Sequence, residues 1–215
     1  MVFDTTAATP ENRFERDVGT KYGADALLNA TEFVLNTFGQ SETGGRGYCS
    51  VVLVVESFRA NRIPFAITTT NGSQILVNAD YLQPFPGNLT VEFTGIVYFT
   101  SGLVWEWTGN GSAPAGLLTG IADYMRLTAG WEYQGWPPRG SGLRWDEGYE
   151  ITANFLEYCE GLRKGFVSYL NAMMIDSYSD AYFVTLLGKP VDELWADYKS
   201  EYPSPGPAPA PTFGH

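Results

Sequence analysis

Histidine is all but missing from this 215-residue chain: its one example is His215, the last residue. Catalysis that needs an imidazole inside the folded body, as base, nucleophile or metal ligand, is thereby excluded. Ser101 beside Gly102 is no exception, because G-x-S-x-G is absent and no internal histidine stands by as its base. Basic charge is scarce too. Thirteen Lys and Arg stand against twenty-four Asp and Glu, a net charge of -11, which argues against a phosphate-binding surface and so against a nucleic-acid partner. The acidic surplus favours solubility and neutral or cationic partners. Long hydrophobic runs are lacking: stretches such as Val51 to Val55 fall far short of the roughly 20 residues that a membrane span needs. Cysteine is limited to Cys49 and Cys159. Two are too few for a disulfide framework, and they are either one disulfide formed in an oxidising compartment or two buried thiols.

What is plentiful is aromatic surface. Six Trp, thirteen Phe and thirteen Tyr supply large packing areas for a sizeable core. The length suits one domain, residues 1–202, followed by a tail, 203–215, whose five prolines predict a disordered or extended segment. Apolar residues at helical spacing predict a helix from Tyr22 to Phe38. Cys49 to Glu56 and Ile63 to Thr69 are rich in β-branched residues and predict strands. Asn71-Gly72 predicts a tight turn into a short strand, Gln74 to Asn78. A second helix is expected at Leu117 to Thr128, then a Trp, Pro and Gly-rich loop from Trp131 to Leu143. Helices follow near Asp146 to Leu162, Lys164 to Met174, Asp180 to Leu187 and Val191 to Glu201.

Several stretches carry a resemblance. Val104-Trp-Glu-Trp107, Gly109-Asn-Gly-Ser-Ala-Pro114, Gly120-Ile-Ala-Asp-Tyr124, Arg144-Trp-Asp-Glu-Gly-Tyr149, Phe155-Leu-Glu-Tyr-Cys159 and Tyr178 to Lys199 resemble landmarks of the plant basic secretory protein family of zincin-like metallopeptidases. The likeness spans nearly the whole chain and is weaker before residue 90. It implies an α+β zincin-like domain with a small N-terminal sheet, a central active-site helix at Leu89 to Trp107 and a helical C-terminal half. The β-branched and glycine content of Leu89 to Trp107 is poor for a helix, so that helix rests on the resemblance. Secretion is implied as well. Met1-Val-Phe-Asp looks like a mature secreted start without its signal peptide, and Asn29, Asn71, Asn88 and Asn110 each begin a glycosylation triplet.

In that family, H-E-x-x-H precedes the Val-Trp-x-Trp landmark, its two imidazoles sharing one helix face to bind zinc while the glutamate polarises the metal-bound water. This chain has Phe99, Thr100, Ser101, Gly102 and Leu103 there, and Thr119 where the family's Glu-Gly-Ile-Ala-Asp would supply a third ligand. The replacements predict a chain with no metal cofactor. Helical geometry places Phe99, Leu103 and Glu106 on one face, with Thr100, Thr119 and Asp123 nearby and Tyr149 reaching in from the C-terminal half. Two outcomes are open. Phe99 and Leu103 fill the metal cavity as core, or a reshaped pocket keeps Glu106, Asp123 and Tyr149 for metal-free acid/base chemistry. The corresponding functions are a pseudopeptidase that binds a protein, peptide or glycan, in plant defence, and an enzyme acting on a small molecule without metal. Trp131, Tyr133, Trp136 and Trp145 form either a stacking wall for a ligand or the packing anchors of their loop. Asp176, Asp180, Asp192, Glu193 and Asp197 lack calcium-loop spacing and are expected on helix surfaces.

Overall fold

The computed structural model describes residues 13–41, 50–58, 64–69 and 73–203. In chain order the elements are α1 (Arg13–Asp17), α2 (Thr20–Phe38), β1 (Val51–Glu56), β2 (Phe65–Thr69), β3 (Ser73–Asn78), α3 (Ala79–Leu82), α4 (Leu89–Trp105), α5 (Ala115–Thr128), α6 (Tyr149–Leu162), α7 (Phe166–Met173), α8 (Ala181–Leu187) and α9 (Val191–Glu201). This is an α+β arrangement. Cys49, the Asn71-Gly72 turn and the tail from residue 204 lie outside the described residues.

The three strands are ordered β1-β3-β2, with β3 parallel to β1 and antiparallel to β2. Leu53 pairs with Ile75 and Val55 with Val77, and all four are fully buried. Alternation along β1 and β3 thus puts one face of the sheet on the core. Helix α2 lies against the same core through Leu27, Ala30 and Val34. It stops at Gly39, whose positive φ of 64° lets the backbone turn out of the helix.

Helix α4 runs through the middle of the molecule, where its composition alone would not hold it helical. Its start is fixed by Asn88, whose side-chain oxygen accepts the Val91 N–H. Nearly every residue from Glu92 to Trp105 is buried, and such all-round burial lets packing outweigh propensity. Its glycines admit a close neighbour: a Cβ on Gly102 would lie 2.8 Å from the Ala122 Cα of α5. The same device joins α5 to α6, since a Cβ on Gly120 would lie 2.2 Å from the Thr152 Cγ2.

Helix α6 begins at Tyr149 rather than at the expected Asp146. Gly148 and Tyr149 have φ of 97° and 47°, outside the right-handed helical region. Thr152 pins this turn by accepting the Gly148 N–H and donating to the Trp145 carbonyl. Helix α7 likewise starts at Phe166 rather than Lys164, because Gly165 before it is left-handed. Beyond them Phe155 anchors an aromatic cluster with Trp145, Phe183, Trp195 and Tyr198. Among the described residues, no helix is long and apolar enough to cross a membrane.

Candidate functional site

Two neighbouring helices each present a stripe to one cleft. Glu92, Ile96 and Phe99 follow one another at i, i+4 and i+7 on α4, and Asp123 and Arg126 lie one turn apart on α5. Helix α6 contributes its first two residues, Tyr149 and Glu150, and Pro64 and Phe65 close the remaining side. The cavity they line is open to solvent and holds about 120 Å³. Glu92, Arg126 and Glu150 also border an adjoining groove of about 580 Å³, walled by Tyr81, Phe85 and Tyr133.

The polar groups here form a chain of contacts. Arg126 gives one guanidinium N–H to Glu92 at 2.9 Å and another to the Trp131 carbonyl at 2.9 Å. Its guanidinium also lies 5.2 Å from the centre of the Tyr133 ring. Gly95 makes room for it, since a Cβ there would fall 2.4 Å from the Arg126 Nε. The Tyr81 hydroxyl donates to Glu92 at 2.8 Å, and the Tyr133 hydroxyl to Glu150 at 2.6 Å. Burial and these carboxylates raise the pKa of both phenols.

Asp123 is treated differently. It is only 3% exposed, and no hydrogen bond to it is found among the described residues. Burial first, then the charge of Glu150, pushes its carboxyl up to about 8, with Arg126 pulling the other way and Glu92 adding a little.

The residues singled out from sequence divide sharply. Phe99, Asp123 and Tyr149 meet at the cavity. The Phe99 ring packs 5.2 Å from Phe65 and 6.0 Å from Tyr149, to which it is nearly parallel at 10°. Tyr149 is half exposed and held in left-handed backbone, its N–H donated to Thr119. Thr119 therefore braces the start of α6 and does not line the cavity. Thr100 is fully buried and bonds back to the Ile96 carbonyl of its own helix at 2.8 Å. Leu103 is partly buried and does not line the cavity. Glu106 is not brought to the site either: α4 ends at Trp105, and Glu106 continues in extended backbone, φ -71° and ψ 150°, with its side chain buried away from the cleft.

Glu92, Arg126 and Glu150 were missed by sequence reasoning. The signal was present in part, because extending the Phe99 stripe back by seven residues reaches Glu92 and extending the Asp123 stripe by three reaches Arg126. Of the aromatic candidates, Tyr133 walls the groove, whereas Trp145 is packed on Phe155 and Phe183, and Trp136 donates to Asn154. Trp131 packs near Tyr98. Asp180 accepts the Tyr178 hydroxyl and Asp197 pairs with Lys189, both on the surface. Cys159 is fully buried, and burial raises its thiol pKa. Asn29, Asn88 and Asn110 are exposed, while Asn71 lies outside the described residues.

The family model described as BSP, peptidase of plants and bacteria, matches residues 2–198. The chain belongs to this family. A curated relative, the basic secretory protease of Boswellia serrata, is 37% identical over 62 residues, covering 29% of this chain and 72% of that relative. No solved structure matches. For this BSP chain, the donor set can be compared with the zinc that the family motif implies. Phe99 and Leu103 offer carbon where imidazole nitrogens would be needed, and the hydroxyls of Thr100 and Thr119 are engaged with their own helices. Among the described residues no three His, Cys, Asp or Glu side chains gather closely enough to hold a metal ion. The residues present at these positions do not fit a zinc site.

Proposed function

We propose that this BSP chain is a secreted, metal-free pseudopeptidase on a zincin-like scaffold, acting by binding a peptide, protein or glycan in the cleft between α4, α5 and α6, in plant defence. The observation that carries the reading is Phe99: its ring sits between Phe65 and Tyr149, and the resemblance assigns this position to the family's first histidine. The neighbouring groove of about 580 Å³, with aromatic walls and a few polar groups, has the size and make-up of a ligand site. Secretion is supported by the name of the Boswellia relative, a secretory protease, and by the glycosylation triplets.

A second reading is favoured by Asp123. A buried carboxyl with a pKa near neutrality, beside Glu150 and the Tyr149 ring, has the properties of a general acid/base for a small molecule. Elemental analysis and a casein-cleavage assay on the purified chain test the metal-free role, with substoichiometric zinc and no cleavage expected. Stoichiometric zinc with chelator-sensitive hydrolysis would overturn it. Turnover of a small molecule that Asp123→Asn abolishes would decide for the enzyme.

A further inference from the structure

We infer that the small cavity bounded by Phe65, Phe99, Tyr149, Asp123 and Glu150 receives a primary alkylammonium group, such as the end of a lysine side chain. This deepens the binding role proposed above and rests on it, naming the chemistry of the ligand's anchoring group.

The charge inventory comes first. Among the described residues, Glu92, Asp123 and Glu150 face a single cation, Arg126, across the cavity. Arg126 is committed to Glu92, at 2.9 Å and with both side chains only 9% exposed. Asp123 and Glu150 are left without an ion pair among the described residues. Glu150 has the Tyr133 hydroxyl on one oxygen, and Asp123 has no hydrogen bond among the described residues although it is almost wholly buried. Buried polar groups are ordinarily satisfied. Once ionised, as it is above a pH of about 8, a carboxylate facing a cavity with no partner is an acceptor in need of a donor, and one that carries positive charge suits it best; at lower pH the incoming cation displaces the Asp123 proton.

The walls narrow the class of cation. Phe65, Phe99 and Tyr149 present aromatic surface, which attracts organic cations and offers apolar contact to methylenes. A hydrated metal ion would find too few oxygen ligands and too much carbon there. The volume, about 120 Å³, equals that of about four waters. It admits an ammonium and part of its alkyl stem but not a folded peptide. The rest of a peptide would lie in the larger groove, which shares Glu92, Arg126 and Glu150 with the cavity. An ammonium bears three N–H donors, so carboxylates on different walls can be bridged by one group.

Calorimetric titration of the intact protein at about pH 9, where Asp123 is ionised and an alkylammonium with its ordinary pKa of about 10.4 is still charged, tests the assignment with n-butylamine, Nα-acetyl-lysine amide and a lysine-containing hexapeptide, against Nα-acetyl-norleucine amide as the uncharged control. The lysine amide should bind at least about tenfold more tightly than the norleucine amide, and Asp123→Asn and Glu150→Gln should each remove about that tenfold preference. Tyr149→Ala, at a half-exposed position, gives a second variant that should weaken lysine binding if either carboxylate variant fails to fold. Butylamine binding as tightly as the hexapeptide would identify a free amine as the source of the group; a tighter hexapeptide would identify a peptide side chain. Equal binding of the lysine and norleucine amides, or lysine binding indifferent to both carboxylate substitutions, would overturn the assignment. Binding of the hexapeptide with its lysine replaced by norleucine, undiminished and blocked by substitution of Tyr81 and Tyr133, would sink the ammonium site while sparing the binding role.

Discussion

Asp123 makes the cleft sensitive to pH. Its folded pKa of about 8 exceeds the ordinary value of 3.8, so between those values the folded chain keeps a proton that the unfolded chain has released. The stability this proton contributes is complete below the ordinary value and is lost as pH rises through about 8. Urea titrations at pH 5 and pH 9 should therefore show the wild type losing more stability than Asp123→Asn, and the variant being the more stable of the two at pH 9 by at least about 1 kcal/mol. A difference between the two proteins that does not change with pH would refute this. The neighbouring ion pair behaves in another way. Removing Arg126 alone leaves Glu92 charged, buried and supported chiefly by the Tyr81 hydroxyl, so Arg126→Met should cost about 3 to 5 kcal/mol. Adding Glu92→Leu should recover much of that loss, because the stranded charge goes with it. A double-mutant cycle reads the coupling, and simple additivity would mean that the pair is not the contact that matters.

At the scale of elements, the cleft depends on how closely α5 is gripped by its neighbours. Gly120 lets Thr152 of α6 come in, and Gly102 and Gly95 do the same for Ala122 and Arg126 against α4. Gly120→Ala should gain up to about 1 kcal/mol in helix propensity yet lose more, about 1 to 3 kcal/mol, by wedging α5 off Thr152. Chemical denaturation measures the net sign, and a stabilised variant would show that the contact can relax. A shift of α5 would also displace Asp123 and Arg126, so the same substitution should weaken ligand binding. Much at this scale was legible in advance. The helix from residue 20 to 38 and the last helix follow apolar spacing that a linear reading detects, and the strands follow their β-branched content. The late start of α6 was not legible, because the reversal at Gly148 and Tyr149 is imposed by Thr152 and Thr119 from outside that stretch.

For the molecule as a whole, the proposed consequence of Phe99 is independence from metal. Where the family motif implies a zinc that would couple to stability, this chain places a ring against Phe65 and Tyr149. A metal bound to the folded state stabilises it, and stripping such a metal lowers the melting temperature. Thermal unfolding with and without a chelator should give the same midpoint here. A fall of more than about 2 to 4 °C, the change that 1 kcal/mol produces in a chain of this size, would reveal a bound ion and defeat the metal-free proposal.

The sequence by itself determined the family, through landmarks spread along the chain, and the donor atoms at positions 99, 100, 103 and 119, because a side chain's chemistry does not depend on where the fold carries it. It also determined most helices and strands, whose periodic burial is written into residue spacing. Only the tertiary structure decided which stripes meet. Glu92, Arg126 and Glu150 belong to three different helices or their first turns, and their convergence depends on interhelical approaches set by Gly95, Gly102 and Gly120. Glu106 went the other way: spacing put it on the face of Phe99, but that spacing holds only while the helix continues, and α4 ends one residue before it. Periodicity reports positions around one helix axis. The polar network of the cleft is a relation between axes, and packing alone establishes it.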